Sequence, residues 1–274
     1  MIPLIVSADD YALNEDIDAG ILDLIRLGLL TAASCLVQSP RWPEAAKQLK
    51  PDILARADIG LHLDFTEFGQ PVRHSLPMLI ARAKARLLSQ KSVNQSIEVQ
   101  LDRFETALGR APDYVDGHQH VHQLPQIRDG LVNALVRRYG GSAPWIRLAD
   151  PAGNTLKEKI IRQLGARKLG AQARKVGLSC SDRLVGVYDF DLNEPAYRAN
   201  LAHWLQQALK LAPETCALMC HPALAATSKS DHIAEARCRE YGVLKTGLGG
   251  LLDQYGLTPV RGSVLAASVL TAHA

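Results

Sequence analysis

Short apolar runs of strand length alternate along the chain with longer segments whose apolar residues recur every three to four positions. This is the pattern of a parallel sheet joined by crossover helices. Ile2–Ala8 reads as a buried strand, and Asn14 as the cap of a helix burying Ile17, Ile21, Leu24 and Ile25 and ending at Gly28. Thr31–Val37 is a second strand, Trp42–Leu49 a short helix opened at Pro43, and Asp58–Leu63 a third strand. From Pro71 to about Ala83 the pattern lapses into a loop or insertion. Ile97, Leu101, Phe104 and Leu108 then mark one face of a helix stopped by Gly109, followed by a strand at Tyr114–Gly117, a helix from Pro125 and a strand at Trp145–Leu148. A basic helical stretch fills Leu156–Gly177. Leu184–Val187, Cys216–Cys220 and Thr258–Arg261 read as strands, with helices at Ala196–Leu209 and Ile233–Leu244 between them.

The 274 residues are 47% hydrophobic and 22% charged, which suits one α/β barrel spanning residues 1–274 as a single domain. A net charge of +3, with no basic stripe interleaved with aromatics, argues against a nucleic-acid partner. Met1–Val6 is too short for a signal segment and runs straight into Asp9 and Asp10, so a cytoplasmic location is expected. Ser263–Leu270 is apolar but well short of a membrane span, and it is expected to pack on the domain. The five cysteines show no CxxC spacing and read as free thiols.

Chemistry concentrates where predicted strands end: Asp9-Asp10, His62, the Asp116–His122 cluster and His221. A lone histidine at such a place is more often a hydrogen-bonded structural residue; four strand ends so equipped point to a site. Two adjacent carboxylates raise each other's pKa unless a cation or donor compensates. In Asp116-Gly117-His118-Gln119-His120-Val121-His122 three histidines recur with period two, so an extended segment would aim all of them at one face. One aspartate with two histidines is a standard metal-ligand set that leaves positions open for water and substrate. His221, held before Pro222, suits a proton donor to a leaving group. His74, His203, His232 and His273 sit in loop, helix or tail contexts and read as ordinary surface or packing residues.

These motifs, in order, are Val6-Ser7-Ala8-Asp9-Asp10-Tyr11, Gly60-Leu61-His62, Asp116 to His122, and Met219-Cys220-His221-Pro222-Ala223. Through them the chain resembles the YdjC-like (ChbG-type) family of carbohydrate deacetylases over nearly its whole length. The resemblance implies a distorted TIM-like (β/α) barrel and one divalent metal ion bound by Asp10, His62 and His118. Magnesium is the family's usual ion, whereas the imidazole ligands favour zinc or another transition metal. Ser7 stands where the family commonly has Asn, and Tyr11 where it commonly has Phe.

The expected reaction removes the N-acetyl group from an acetylated amino sugar, a chito-oligosaccharide or related glycan or glycolipid, releasing acetate. Asp9 would take a proton from water and His221 would protonate the departing amine, with His120 and His122 orienting neighbours or holding the sugar. Two other readings are a metal-dependent phosphoesterase, which would want more ligands for two or three ions, and a non-catalytic glycan-binding barrel, which would need neither Asp9 nor His221. A homodimer suits a barrel of this size.

Overall fold

The computed structural model describes residues 1–272. The chain opens with β1 (Ile2–Tyr11), α1 (Glu15–Arg26) and β2 (Ala32–Cys35). The side chain of Asn14 accepts from the Ile17 N–H and starts α1, and Gly28 at φ 74° ends it. Two short helices, α2 (Trp42–Ala46) and α3 (Pro51–Leu54), lead to β3 (Asp58–Leu63). Then come α4 (Leu76–Lys84), α5 (Gln90–Leu108), β4 (Tyr114–Gly117), α6 (Ile127–Tyr139) and β5 (Trp145–Ile146). The later half holds α7 (Leu156–Arg162), α8 (Ala166–Lys175), β6 (Arg183–Val185), α9 (Glu194–Leu211) and β7 (Cys216–Cys220). It closes with α10 (Ala234–Val243), α11 (Gly249–Tyr255), β8 (Leu257–Pro259) and α12 (Gly262–Ala272).

The strands are parallel, in the order β5-β4-β3-β2-β1-β7-β6, with β8 pairing the start of β1. Two parallel bridges, Ile146 to Cys180 and Pro151 to Leu184, bring the edges together, so the sheet curls into a distorted (β/α) barrel. Alternation along β1 sorts its side chains. Leu4, Val6 and Ala8 join the large core under the helices, with Ile17, Ile21, Leu24 and Ile25 of α1. Ile5 faces inward to a second core with Ala32, Tyr114, Trp145, Leu184, Ala217 and Met219. Tyr114 fits inside because Gly60 lies beside it: a Cβ there would come within 2.5 Å of the ring.

The expected elements are present with shifted ends, and three places need correction. The segment read as a loop from Pro71 to Ala83 contains α4, opened by Pro77 and burying Leu79 and Ala83 one turn apart. Its two buried anchors were too few to reveal a helical period. The basic stretch is two helices, broken at Gly165, whose φ of 126° suits glycine. The helix read as Ile233–Leu244 continues through a π turn at Leu244–Leu248 into α11. The C-terminal apolar run forms α12, whose Gly262 lies against the Trp145 ring and whose first turn is held by Asp58, which accepts from the Ser263 N–H at 2.7 Å. All five cysteines are free, and among the described residues no helix is long and apolar enough to cross a membrane.

Candidate active site

Inward-facing positions grow more polar toward the C-terminal ends of the strands, where Asp9, Asp10, His62, Asp116, Arg147 and His221 converge. Consecutive residues of a regular strand point to opposite faces, so a plain strand could not send both Asp9 and Asp10 into the site. The register supplies the solution. Ala8 pairs with Ala33 and Tyr11 with Cys35, three steps on β1 against two on β2: a β-bulge centred on the two aspartates. Asp10 takes a left-handed φ of 71°, and its carboxylate comes to the same centre as that of Asp9.

Asp10 Oδ1 is 2.9 Å from His118 Nδ1 and 3.4 Å from His62 Nε2. Ligand bonds of about 2.1 Å, meeting at tetrahedral or octahedral angles, separate donor atoms by roughly 3.0–3.4 Å, so the three groups fit one small divalent cation. Asp10 Oδ2 is turned away and accepts from Arg237 Nη2 at 2.7 Å. Burial works to raise the Asp10 pKa, but Arg237 and His118 outweigh it and hold the carboxyl well below its usual range.

His62 and Asp116 are register partners across β3 and β4 and project to the same face. The His62 Nδ1–H donates to Asp116 Oδ1 at 2.6 Å, which fixes the ring and aims Nε2 at the centre. Ser34 Oγ lies 3.1 Å from the same Nδ1. Burial opposes charge on His62, yet Asp116 and then Asp10 lift its pKa to about 10, so a cation taken up at Nε2 displaces a proton. Asp9, His62 and Asp116 also bring donor atoms close together, but a guanidinium already fills that space. Arg147 Nη2 is 2.7 Å from Asp9 Oδ2 and 2.6 Å from Asp116 Oδ2, and its Nη1 donates to Ser7 Oγ at 3.2 Å.

On the far side of Asp9, His221 Nε2 lies 3.9 Å from Oδ2, while Asp9 Oδ1 is buried with no partner. Glu240 receives the His221 backbone N–H at 2.6 Å and the Tyr188 hydroxyl at 2.6 Å, and Phe190 sets its ring edge-on to the His221 ring at 5.1 Å. Burial lowers the His221 pKa against the pull of Glu240 and Asp9, which leaves the imidazole neutral near pH 7.

The expectation that His118, His120 and His122 share one face is corrected. Gly117 is extended, so His118 continues the inward alternation from Asp116, but Gln119 and His120 take left-handed φ values of 52° and 61° and coil the segment into a 3-10 turn. His122 folds back beneath Gly117, where its Nε2–H donates to the Arg147 carbonyl at 3.0 Å, and burial with the Arg147 charge lowers its pKa to about 3. His120 is held neutral by burial and by the nearby Arg147 charge. Arg147, Arg237 and Glu240 were missing from the sequence reading. Arg147 carried a signal, a cation inside an apolar strand run, but Arg237 and Glu240 look like surface charges on an ordinary helix. Of the histidines read as ordinary, His203 and His232 are exposed, His74 is half-buried, and His273 lies outside the described residues.

A family model described as "YdjC-like protein" matches residues 3–247. The chain belongs to the YdjC-like family. Among its YdjC-like relatives, a chitooligosaccharide deacetylase of Yersinia pestis is 29% identical over 237 residues, covering 80% of this chain and 81% of that protein. A carbohydrate deacetylase of Mus musculus is 29% identical over 249 residues, covering 80% and 77%. Among solved structures, a protein described as a cellobiose-phosphate cleavage protein of Enterococcus faecalis V583 superposes with a TM-score of 0.72 at 20% identity, over 96% of this chain and 98% of the other. The peptidoglycan N-acetylglucosamine deacetylase Bc1960 gives 0.51 at 11% identity, over 94% and 85%. These two likenesses establish that the YdjC-like chain shares its barrel with them.

Proposed function

We propose that this protein is a metal-dependent carbohydrate N-deacetylase that hydrolyses the acetamide of an acetylated amino sugar to acetate and a free amine. The observation that carries this reading is the convergence of Asp10, His62 and His118 from three strand ends, with Asp9 and His221 beside them. The names of the relatives, deacetylases of chitooligosaccharides and carbohydrates, favour the same chemistry.

Asp10, His62 and His118 would hold one divalent ion. When bound, it supplies a Lewis acid that polarises the amide carbonyl and acidifies water. Asp9 is oriented through Oδ2 by Arg147, which leaves the buried Oδ1 free to accept the proton of the attacking water. His221 starts neutral and must gain a proton before it can give one; the Asp9 carboxyl, protonated by the attacking water and 3.9 Å away at its nearer oxygen, is the source at hand. Glu240, 4.0 Å from His221 Nδ1, stabilises the imidazolium that forms. His221 then protonates the nitrogen, without which an amine is a very poor leaving group. Water thus delivers hydroxide to the acyl carbon and a proton to nitrogen; the C–N bond breaks, the amine leaves, and the acetic acid formed loses its proton to become acetate.

Acetate release from a panel of N-acetylated amino sugars, with and without chelator, tests the reading. Release from at least one sugar, abolished by chelator and restored by a divalent ion, is expected. Release from none of them sinks it.

A further inference from the structure

Arg237 is 3% exposed, a guanidinium buried at the floor of the site, and no step of the proposed reaction uses it. It reaches in from α10, where no strand-end pattern would place a functional residue. Its Nη2 donates to Asp10 Oδ2 at 2.7 Å, and its Nε lies 2.8 Å from Asp231 Oδ2. Burying a guanidinium is costly unless carboxylates compensate it, and here two do, one of them a candidate metal ligand. The pairing is also divided. Arg147 takes Asp9 and Asp116 together, whereas Arg237 pairs with Asp10 from below the site and with Asp231 behind it, reaching Asp10 only through Oδ2.

We infer that Arg237 is a positioning residue that makes Asp10 a one-oxygen ligand; the inference rests on the metal reading above. A free carboxylate can rotate about its terminal bond and offer both oxygens to a cation. With Oδ2 engaged by Arg237, Oδ1 alone faces His62 Nε2 and His118 Nδ1, and the positions a second oxygen would occupy stay open for water and the acetamide. Asp231 holds the guanidinium in turn. The left-handed backbone at Asp10 sets where the side chain starts, and Arg237 sets how its carboxylate is turned.

Co²⁺ uptake by wild-type protein, Arg237→Met, Arg237→Lys and Asp231→Asn, followed by visible absorption, tests this, with circular dichroism as a check of folding. Arg237→Met is expected to bind Co²⁺ about 10–100-fold more weakly, the usual loss when an outer partner of a ligand is removed. Its cobalt spectrum is expected to change shape and weaken as Asp10 offers both oxygens. Arg237→Lys, which keeps one donor to Oδ2, should recover most of the wild-type spectrum, and Asp231→Asn should fall between. A folded Arg237→Met with wild-type affinity and spectrum overturns the inference; should that variant not fold, Asp231→Asn protein with wild-type affinity and spectrum overturns it equally. Wild-type protein that takes up no Co²⁺ overturns the metal reading itself, a different failure visible before any variant is made.

Discussion

Asp9 and Asp10 are chemically identical neighbours given different work by their partners. Asp10 has one oxygen on Arg237 and the other before two imidazoles; Asp9 has one oxygen on Arg147 and the other free. Asp10→Asn and His118→Ala should therefore each lose bound metal, measured by elemental analysis, together with turnover. Asp9→Asn should keep the metal and lose about 10²–10⁴-fold in kcat, the span of general base catalysis. Asp9→Asn protein with undiminished kcat would remove Asp9 from the reaction. Both residues were visible in the sequence as a carboxylate pair following an apolar run, and His62 and His221 as histidines closing predicted strands. The partners that divide their roles were hidden: Arg237 lies 227 positions from Asp10 and Arg147 138 from Asp9, and nothing local marks either pairing.

At the level of elements, strand alternation does most of the placing. His62 and Asp116 meet because they are register partners, and the inward-facing Ser7 and Tyr114 join Arg147 in a hydrogen-bonded column across the barrel interior. The column depends on Gly60 leaving room for Tyr114. Gly60→Ala should force that ring aside and cost about 1–3 kcal/mol, the usual range for overpacking, read as a lower denaturation midpoint at unchanged m-value. A midpoint equal to that of the wild type would mean the ring is not confined. Strand spacing and apolar runs made β1, β3, β4 and β7 readable. The turn after Gly117 was not, because the period-two histidines favour an extended segment on paper and only left-handed backbone at Gln119 and His120 defeats it.

For the whole molecule, the buried titratable groups set a pH profile. His122 is held near 3 by burial and Arg147, so the unfolded chain, with its histidine near 6.5, binds the extra proton below that pH. Stability thus falls as pH drops from about 6.5, and falls further below about 4 as Asp10 and Asp116, whose pKa values are depressed in the fold, take up protons. His62 acts in the opposite sense. Raised to about 10, it adds stability that is complete below about 6.5 and is lost as pH climbs toward 10. Thermal melts of chelated protein should peak near pH 6.5. With a divalent ion taking the place of the His62 proton, the alkaline decline should disappear while the acid one remains. An alkaline limb that is the same with and without metal would separate His62 from the ion. The barrel itself was legible from alternating element lengths. Its inner gradient, apolar at Ile5 and Trp145 and ionic at Asp9 and Arg147, was not, because it depends on how seven strands align.

The bulge in β1 also makes the protein sensitive to a kind of genetic change that substitution studies would not sample. Losing either residue between Ala8 and Tyr11, Asp9 or Asp10, would restore even pairing with β2 and leave a single inward carboxylate, without the left-handed step that brings the second to the centre. In this stretch the length of the chain is as much a part of the reaction centre as the identity of its side chains.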